Sequence, residues 1–528
     1  MDEIGTVFSA DCAEMNELGS GIVRHGNLVV FVPGLVPGDR AELRIESIEK
    51  NYAIGKCISL IRRSPHRTDP RCPDAERCGG CTLGHVSYAL ENEIKRNTVR
   101  SAFRRNGLKD IEPEPTLFGQ DRYGYRNKMS LRFDPQTNRF GYCREGSGDV
   151  LPFSACPLCP AAFSAVVRCL NDHPGLTAPL SPSSLRIRED AYGIIVSLTA
   201  SVSDPDSMEN CSRSLKEAVP EVRAVLADPG TGEKTRSAGN SREEIREKIA
   251  GLDLRFSVEA FRQVNSPVFG MLLDTLLSFA SECPFRRAAD LYCGSGMIGL
   301  ALAKAFPDAR ITGIEINPEA VQDAKKNAAR NGRGNIRFFA GDAATYRSRI
   351  GKNDTPELIT VDPPRAGLSR QMRKELLTLA PERVIYVSCN PQTLARDARE
   401  LTENGYEVKR VVPVNLFPVT KHVETVCLLS KLESQPHIEV KLNMSELDLT
   451  KAEKKATYQE IKDYVMEHTG LKVSSLYIAQ VKEKCGIIER ENYNKPKSPD
   501  AKQAKCPPEK EKAIRDALKH FGMIEGEK

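Results

Sequence analysis

The 528-residue sequence has no apolar run of roughly 18 residues, the length that a helix needs to span a bilayer. Its first residues, MDEIGTVFSAD, lack the basic stretch followed by an apolar stretch that is typical of a secretory signal. We therefore expect a soluble, cytoplasmic protein without a membrane partner. The net charge is also low. A value of +5 at pH 7 does not by itself indicate a polyanionic partner, although it permits local basic patches.

Cysteine, by contrast, is abundant. The chain carries 16 cysteines, and in a large chain without a secretion signal they indicate free thiols, a metal site or catalysis rather than disulfides. Three of them lie close together in PRCPDAERCGGCTLGH, where Pro and Gly argue against a strand or helix that would bury them. Thiols at Cys72, Cys78 and Cys81 therefore predict a metal site.

The fourth ligand of such a site has to come from elsewhere in the chain, and SACPLCP offers Cys156 or Cys159. Two C-x2-C pairs, the pattern of a zinc ribbon, are formed by Cys78, Cys81, Cys156 and Cys159. The complete triplet together with Cys156 favours a 4Fe–4S cluster. The spacing leaves both alternatives open.

Residues 1–62 are predicted to form an all-β unit. Turns rich in Gly and Pro separate short alternating segments, which are GIVRHG, LVVFVPG, DRAELRIESIE and YAIGKCISLI. Several short strands closed by such turns favour a small OB-like β-barrel, a fold that often binds nucleic acid. An unrelated small β-domain would show the same periodicity.

Residues 63–254, a predicted central domain, contain the cysteine triplet and a basic helix in ENEIKRNTVRSAFRRNG. A strand predicted at 122–133, within RYGYRNKMSLRFD, interleaves cationic and aromatic side chains, which can stack on bases and pair with phosphates. An ordinary exposed strand is the alternative. Segment 230–247 predicts a loop followed by a polar turn of helix.

From 255 to 432 the sequence alternates between predicted strands and helices. RAADLYCGSGMIGLALAKAF reads as strand, glycine loop and helix, and a second helix is predicted to begin with Asn317 as N-cap and Pro318 at its first position. This alternation predicts an α/β fold with a doubly wound, mostly parallel sheet. Residues 433–528, rich in Lys and Glu, predict a small helical extension whose role the sequence does not indicate.

A glycine-rich loop predicts a nucleotide site in this α/β region. Gly294, Gly296 and Gly299 match G-x-G-x-x-G between a strand and a helix, where glycine permits a tight turn and close approach of a ligand. Glu315 falls 19 residues after Gly296, at the tip of the next strand, where a carboxylate can accept from ribose hydroxyls. These features suit NAD and S-adenosylmethionine equally, so a dehydrogenase is an alternative at this point.

Two later strand tips favour a different chemistry. VDPPR places Asp362 at one tip, where a carboxylate can orient a flat heterocycle, and paired prolines stiffen the loop that follows. VIYVSCNPQTLARD places the Cys389 thiol at the next tip, just before a helix that begins with proline. Such a cysteine is either a buried packing residue or a nucleophile. An acid and a thiol on adjacent tips suit covalent activation of a base better than hydride transfer.

Four motifs, in the order DLYCGSGMIGL, VDPPRAGL, YVSCNPQTLARD and HVET, resemble those of the RNA uracil-5-methyltransferase family. VFVPGLVPGD followed by YAIGK resembles the TRAM domain, and with the CxxxxxCGGC cluster the chain is most similar to the bacterial 23S rRNA branch. The resemblance covers about residues 1–432. It implies an S-adenosylmethionine-dependent, Rossmann-like methyltransferase domain at 255–432, an iron–sulfur cluster in the central domain and RNA as partner. We also expect a monomer.

The resemblance also implies roles for individual residues. Cys389 corresponds to the nucleophile that adds to carbon 6 of uracil, and Glu424 of KHVETV to the base. Residues placed at the cofactor are Gln263, Tyr292, Glu315, Asp342 and Asp362. The 4Fe–4S ligands correspond to Cys72, Cys78, Cys81 and Cys156, and Cys159 is an additional thiol that leaves the fourth ligand open.

Three alternatives remain at this stage. The substrate can be tRNA instead of 23S rRNA. An exocyclic-amine RNA methyltransferase would use the Asp-Pro-Pro turn without a covalent thiol. A non-catalytic RNA-binding protein would use the barrel and the basic strand alone and would not bind S-adenosylmethionine.

Overall fold

A computed structural model describes residues 3–144, 146–153, 155–200, 204–228, 236–237, 243–349, 354–432, 456–487 and 506–524. The chain forms two compact units, Met1–Glu433 and Ser434–Lys528. None of the helices in the described ranges combines the length and the apolar composition that a bilayer-spanning segment requires. The finer domain boundaries predicted inside the first unit stay predictions.

The first unit begins with a six-stranded sheet, which consists of β1 (Val7–Asp11), β2 (Glu14–Met15), β3 (Ser20–His25), β4 (Leu28–Pro33), β5 (Arg40–Ile48) and β6 (Ala53–Arg62). Its strand order is β1-β5-β6-β4-β3-β2, with β4 and β6 parallel and the other neighbours antiparallel. Alternating apolar side chains such as Val30 and Leu43 form its core. The all-β prediction is confirmed, and the OB-like barrel and TRAM assignments stay predictions.

A second sheet has seven strands in the order β13-β12-β11-β10-β7-β8-β9. These strands are β7 (Lys128–Asp134), β8 (Arg139–Cys143), β9 (Val150–Pro152), β10 (Pro182–Asp190), β11 (Gly193–Ala200), β12 (Val222–Asp228) and β13 (Arg236–Ser237). The accompanying helices are α1 (Ala75–Cys78), α2 (Tyr88–Arg105), α3 (Ala161–Asp172) and α4 (Pro205–Ala218). A separate hairpin follows, formed by β14 (Glu244–Ile249) and β15 (Leu252–Ser257).

Three local predictions for this region are wrong. The basic strand predicted at 122–133 begins only at Lys128. The side chains before it make contacts within the protein, because Arg122 pairs with the buried Glu91 and the Tyr125 hydroxyl donates to a backbone carbonyl. The polar helical turn predicted to end segment 230–247 is instead strand β14, and residues 229–235 and 238–242 lie outside the described residues. The cysteine loop contains a one-turn helix, α1, although its Pro and Gly predicted none.

The third sheet is the predicted doubly wound, mostly parallel one. Its strands are β16 (Arg287–Leu291), β17 (Arg310–Glu315), β18 (Ile336–Ala340), β19 (Leu358–Val361), β20 (Arg383–Ser388), β21 (Tyr406–Val414) and β22 (Glu424–Lys431). The order is β18-β17-β16-β19-β20-β22-β21, with the first five parallel and β22 antiparallel to both of its neighbours. The helices of this region are α5 (Ser266–Ser281), α6 (Met297–Ala305), α7 (Pro318–Arg330), α8 (Arg370–Leu379) and α9 (Pro391–Thr402).

Apolar cores cover both faces of this sheet. Side chains of α5, α6 and α7 belong to one core, and those of α8 and α9 belong to the other. Helix α2, which the sequence assigned to the central domain, joins the second core through Val99 and Phe103. It therefore packs against the same sheet whose strand ends carry the predicted site.

The second unit contains α10 (Tyr458–Thr469), α11 (Ser475–Lys484) and α12 (Pro508–His520). Its small core includes Ile461, Val465, Ile478 and Ile514. Helix α10 begins with a capping box between Thr457 and Glu460. All three helices lie within residues 433–528, for which the sequence predicted helical structure.

Candidate active site

The carboxyl ends of neighbouring strands in the third sheet open onto a cavity of about 1040 Å³. Ligand sites of open α/β sheets lie at this edge. Most of the predicted site residues line the cavity, namely Gln263, Tyr292, Glu315, Asp362, Cys389 and Glu424. Asp342 does not belong to this lining, and its carboxylate instead accepts from the Ala344 backbone N–H at 2.9 Å.

The glycine loop joins β16 to α6 at the floor of the cavity. Gly296 caps α6 with a φ of 84°, and a Cβ there would lie 2.6 Å from the Phe338 ring, so only glycine fits. The fully buried Asp290 fixes the loop by accepting from the Gly299 N–H at 2.8 Å and from the Thr360 hydroxyl at 2.9 Å. Burial raises the pKa of Asp290 to about 7.

Glu315 ends β17 as predicted, and its carboxylate is attached to the same loop. It accepts from the Gly294 N–H at 3.0 Å and from the Asn317 N–H at 2.8 Å. Both bonds come from backbone donors, so the carboxylate is held in place at the cavity wall. Each oxygen retains a lone pair with which it can accept from a ligand hydroxyl.

Three side chains lie at the ends of adjacent strands in the order β19-β20-β22. Asp362 directly follows β19, Cys389 directly follows β20, and Glu424 opens β22. The prediction that the acid and the thiol lie on adjacent strand tips is confirmed. The arrangement brings two carboxyl groups and one thiol to a single side of the cavity.

Burial and mutual repulsion favour the protonated forms of these groups. Burial, and then the Asp362 charge, raise the pKa of Glu424 to about 8. Burial, and then Asp290, raise the pKa of Asp362 to about 7. Burial, and then Glu424, raise the pKa of the Cys389 thiol, while the Arg365 guanidinium acts in the opposite direction.

Sequence reasoning missed several cationic and aromatic residues of the cavity. The Arg365 guanidinium donates to His422 Nδ1 at 2.8 Å, and burial lowers the pKa of His422 to about 4, so the ring is neutral and can accept. Arg126 also lines the cavity, and its buried Nε has no hydrogen-bond partner among the described residues. Arg365 could have been found, because it directly follows the Asp-Pro-Pro turn. Arg126 belongs to the basic segment predicted to contact RNA, but nothing in the sequence placed it in this cavity, and Phe417 carries no local signal.

A second, smaller cavity is lined by the thiols of Cys72, Cys78, Cys81 and Cys156. Its other walls include apolar side chains, among them Leu151 and Phe153. Cys159 does not line this cavity; it is buried and hydrogen-bonded to Cys156. In the part of the chain that the structure describes, no group of three or more His, Cys, Asp or Glu is arranged to hold a metal ion.

The chain is similar in sequence to known proteins. The sequence profile of the tRNA (uracil-5-)-methyltransferase family matches residues 240–432. A Bacillus cereus protein described as an uncharacterized RNA methyltransferase is 32% identical over 439 residues, which cover 79% of this chain and 94% of the relative. A Caldanaerobacter subterraneus relative of the same description is 31% identical over 458 residues, covering 81% and 99%.

The crystal structure of Pyrococcus abyssi tRNA (uracil-54, C5)-methyltransferase in complex with S-adenosyl-L-homocysteine has the same fold. The two chains superpose with a TM-score of 0.62 at 24% identity, and the match covers 80% of this chain and 99% of that chain.

Proposed function

Since the chain belongs to the RNA uracil-5-methyltransferase family, we propose that it transfers a methyl group from S-adenosylmethionine to carbon 5 of uridines in 23S rRNA. The observation that carries this proposal is the meeting of Asp362, Cys389 and Glu424 in one cavity beside the glycine loop. The target uridine has to leave its stack to reach a thiol inside such a cavity. Loops and bulges of folded RNA offer such bases.

Carbon 5 of uracil is too weak a nucleophile to take up a methyl group by itself. The reaction therefore requires a nucleophile from the protein that activates the ring. The Cys389 thiolate forms a bond to carbon 6, and the resulting enolate makes carbon 5 reactive toward a methyl cation equivalent. After methyl transfer, the Glu424 carboxylate removes the remaining proton from carbon 5. The electron pair of that C–H bond restores the 5,6 double bond, and the thiolate leaves. Asp362 is suited to orient the ring through its N–H group.

The cavity suits S-adenosylmethionine, which supplies the methyl group when it is bound. The glycine loop leaves room for a ligand next to backbone N–H groups, and Glu315 faces the cavity with free acceptor capacity. Gln263 and Tyr292 line the same space. Asp342 is the weakest of the proposed cofactor residues, because it stands outside the lining of the cavity.

We further propose that Cys72, Cys78, Cys81 and Cys156 hold a 4Fe–4S cluster. Support comes from the thiol-lined cavity, since four cysteine sulfurs are the donor set of a 4Fe–4S cluster. The apolar walls would shield such a cluster from water. The reaction above transfers no electrons, so the proposed role is to shape the protein or to orient RNA.

The pH dependence of catalysis follows from two buried groups. Cys389 must lose its proton to attack, and Glu424, with a pKa near 8, must lose its proton to act as a base. Both active forms become more populated as pH rises, so we expect the single-turnover rate at which free methylated RNA forms, which includes both steps, to increase from pH 6 to pH 8.5. Rates measured with saturating RNA and cofactor check this, and a rate that is flat or falls over that range contradicts it.

Substrate choice is testable on matched RNAs. We expect 23S rRNA transcripts that lack protein to be methylated faster than unmodified tRNA, because an additional nucleic-acid-binding sheet suits the selection of one loop in a large molecule. The double variant R24E/K56E reverses two exposed charges of that sheet. It should bind rRNA more weakly, with a salt dependence reduced by about two counterions.

The matched control is R213E/K216E, which reverses two exposed charges on helix α4, outside the first sheet. Cofactor affinity should be the same in all three proteins. Faster turnover on tRNA would assign the chain to tRNA instead, and unchanged rRNA affinity of R24E/K56E would remove the role of the first sheet.

A further inference from the structure

The loop of residues 415–423, between β21 and β22, brings Phe417 and His422 into the cavity and leads directly into Glu424. Its backbone is strained, because Val419 has a φ of 71°, a value that β-branched residues rarely adopt. Val419 is also 2% exposed. A buried, strained loop next to a catalytic group has to be held by its surroundings.

Glu91 of α2 holds the middle of this loop. Its fully buried carboxylate accepts from the Val419 N–H at 2.9 Å and from the Asn415 side-chain amide at 2.9 Å. Its charge is balanced by Lys95 at 3.1 Å and by Arg122 at 2.9 Å. A carboxylate with four partners from three parts of the chain fixes the relative positions of those parts.

Lys95 lies one turn later on α2 and holds the start of the same loop. Its Nζ donates to the Phe417 carbonyl at 2.9 Å and also to the Asn415 side chain. The network extends to the cysteine loop, since Arg122 donates to the Leu83 carbonyl at 2.9 Å and the Leu83 N–H donates to the Val419 carbonyl at 2.9 Å. The charged members of the network, Glu91, Lys95 and Arg122, do not line the cavity that would bind substrate.

We propose that Glu91 is a positioning residue for the base Glu424, acting through the 415–423 loop. This inference rests on the function proposed above. Cys389 lies between β20 and α9, outside the loop, whereas Glu424 directly follows it, so loss of Glu91 should slow proton removal more than thiol addition. The covalent adduct between Cys389 and RNA should then accumulate.

The test compares E91Q with the wild type on an rRNA fragment. We expect the standing fraction of RNA–protein adduct on denaturing gels to rise about fivefold and kcat to fall about tenfold, as small displacements of a catalytic group commonly cause. The KM for S-adenosylmethionine should change less than about twofold. The matched control is E112Q, which removes an exposed carboxylate that pairs with Arg100 and Arg104 and should behave like the wild type.

A second variant, K95M, loosens the loop without removing Glu91 and should shift the adduct fraction in the same direction. If E91Q and K95M turn over with the wild-type adduct fraction, or if both fail to fold, Glu91 has only a structural role and the inference is wrong. E424Q separates this outcome from failure of the proposed function. An absence of adduct in E424Q and the wild type would overturn the function itself.

Discussion

Replacing Cys389 with alanine is expected to abolish methylation, with a loss on the order of 10⁴-fold or more, because carbon 5 of uracil is too weak a nucleophile to take the methyl group without prior addition at carbon 6. The variant should still bind RNA and S-adenosylmethionine, since the glycine loop and Glu315 do not depend on the thiol. It should form no covalent RNA–protein species. Radiolabelled RNA on denaturing gels and methyl incorporation measure both effects.

Glu424→Gln should block the last step of the reaction, in which the proton leaves carbon 5. The amide cannot remove the proton from carbon 5, so the thiol adds, the methyl group transfers, and the adduct remains. A species that resists denaturation should therefore accumulate in Glu424→Gln and be absent in Cys389→Ala. If the two variants stop at the same non-covalent stage, the roles assigned to these residues are wrong.

The second large effect concerns the thiol-lined cavity. Protein purified without oxygen should be brown and carry about four irons per chain, as a four-thiolate 4Fe–4S site requires. Cys81→Ser removes a sulfur from the cavity wall and should eliminate most of this iron. Metal analysis and the visible absorption spectrum report the result independently of activity.

Cys159→Ser is the control, because Cys159 is buried but does not line the cavity. It should keep its iron. Loss of metal in both variants would favour the paired C-x2-C alternative, and stoichiometric zinc without iron would refute the cluster.

The strand tips of the methyltransferase region were predictable because their signals are local. All six residues of β20 are buried, and the four apolar β-strand formers VIYV indicate this directly. Asn390 and Pro391 start α9 as the sequence indicates. Parallel strands bring their carboxyl ends to one edge, so the meeting of Asp362 and Cys389 followed from the pattern.

The Glu91 network was not predictable, because its partners are remote in sequence. Asn415 lies 324 residues after Glu91, and no periodicity in α2 marks a charged pair as buried. The same reason explains why Arg122 was misinterpreted. Its charge suggested an exposed residue on an RNA-binding strand, but the buried Glu91 neutralises it. Local sequence reports propensity and burial pattern, whereas the neutralisation of a buried charge depends on tertiary contacts.

The central claim is methyl transfer to carbon 5 of a uracil through a Cys389 adduct. It is tested most directly by nucleoside analysis of rRNA transcripts after reaction with labelled S-adenosylmethionine and either wild-type enzyme or Cys389→Ser. The account predicts 5-methyluridine as the labelled nucleoside with the wild type and none with the variant. Label on an exocyclic amine, or equal labelling by Cys389→Ser, would contradict it.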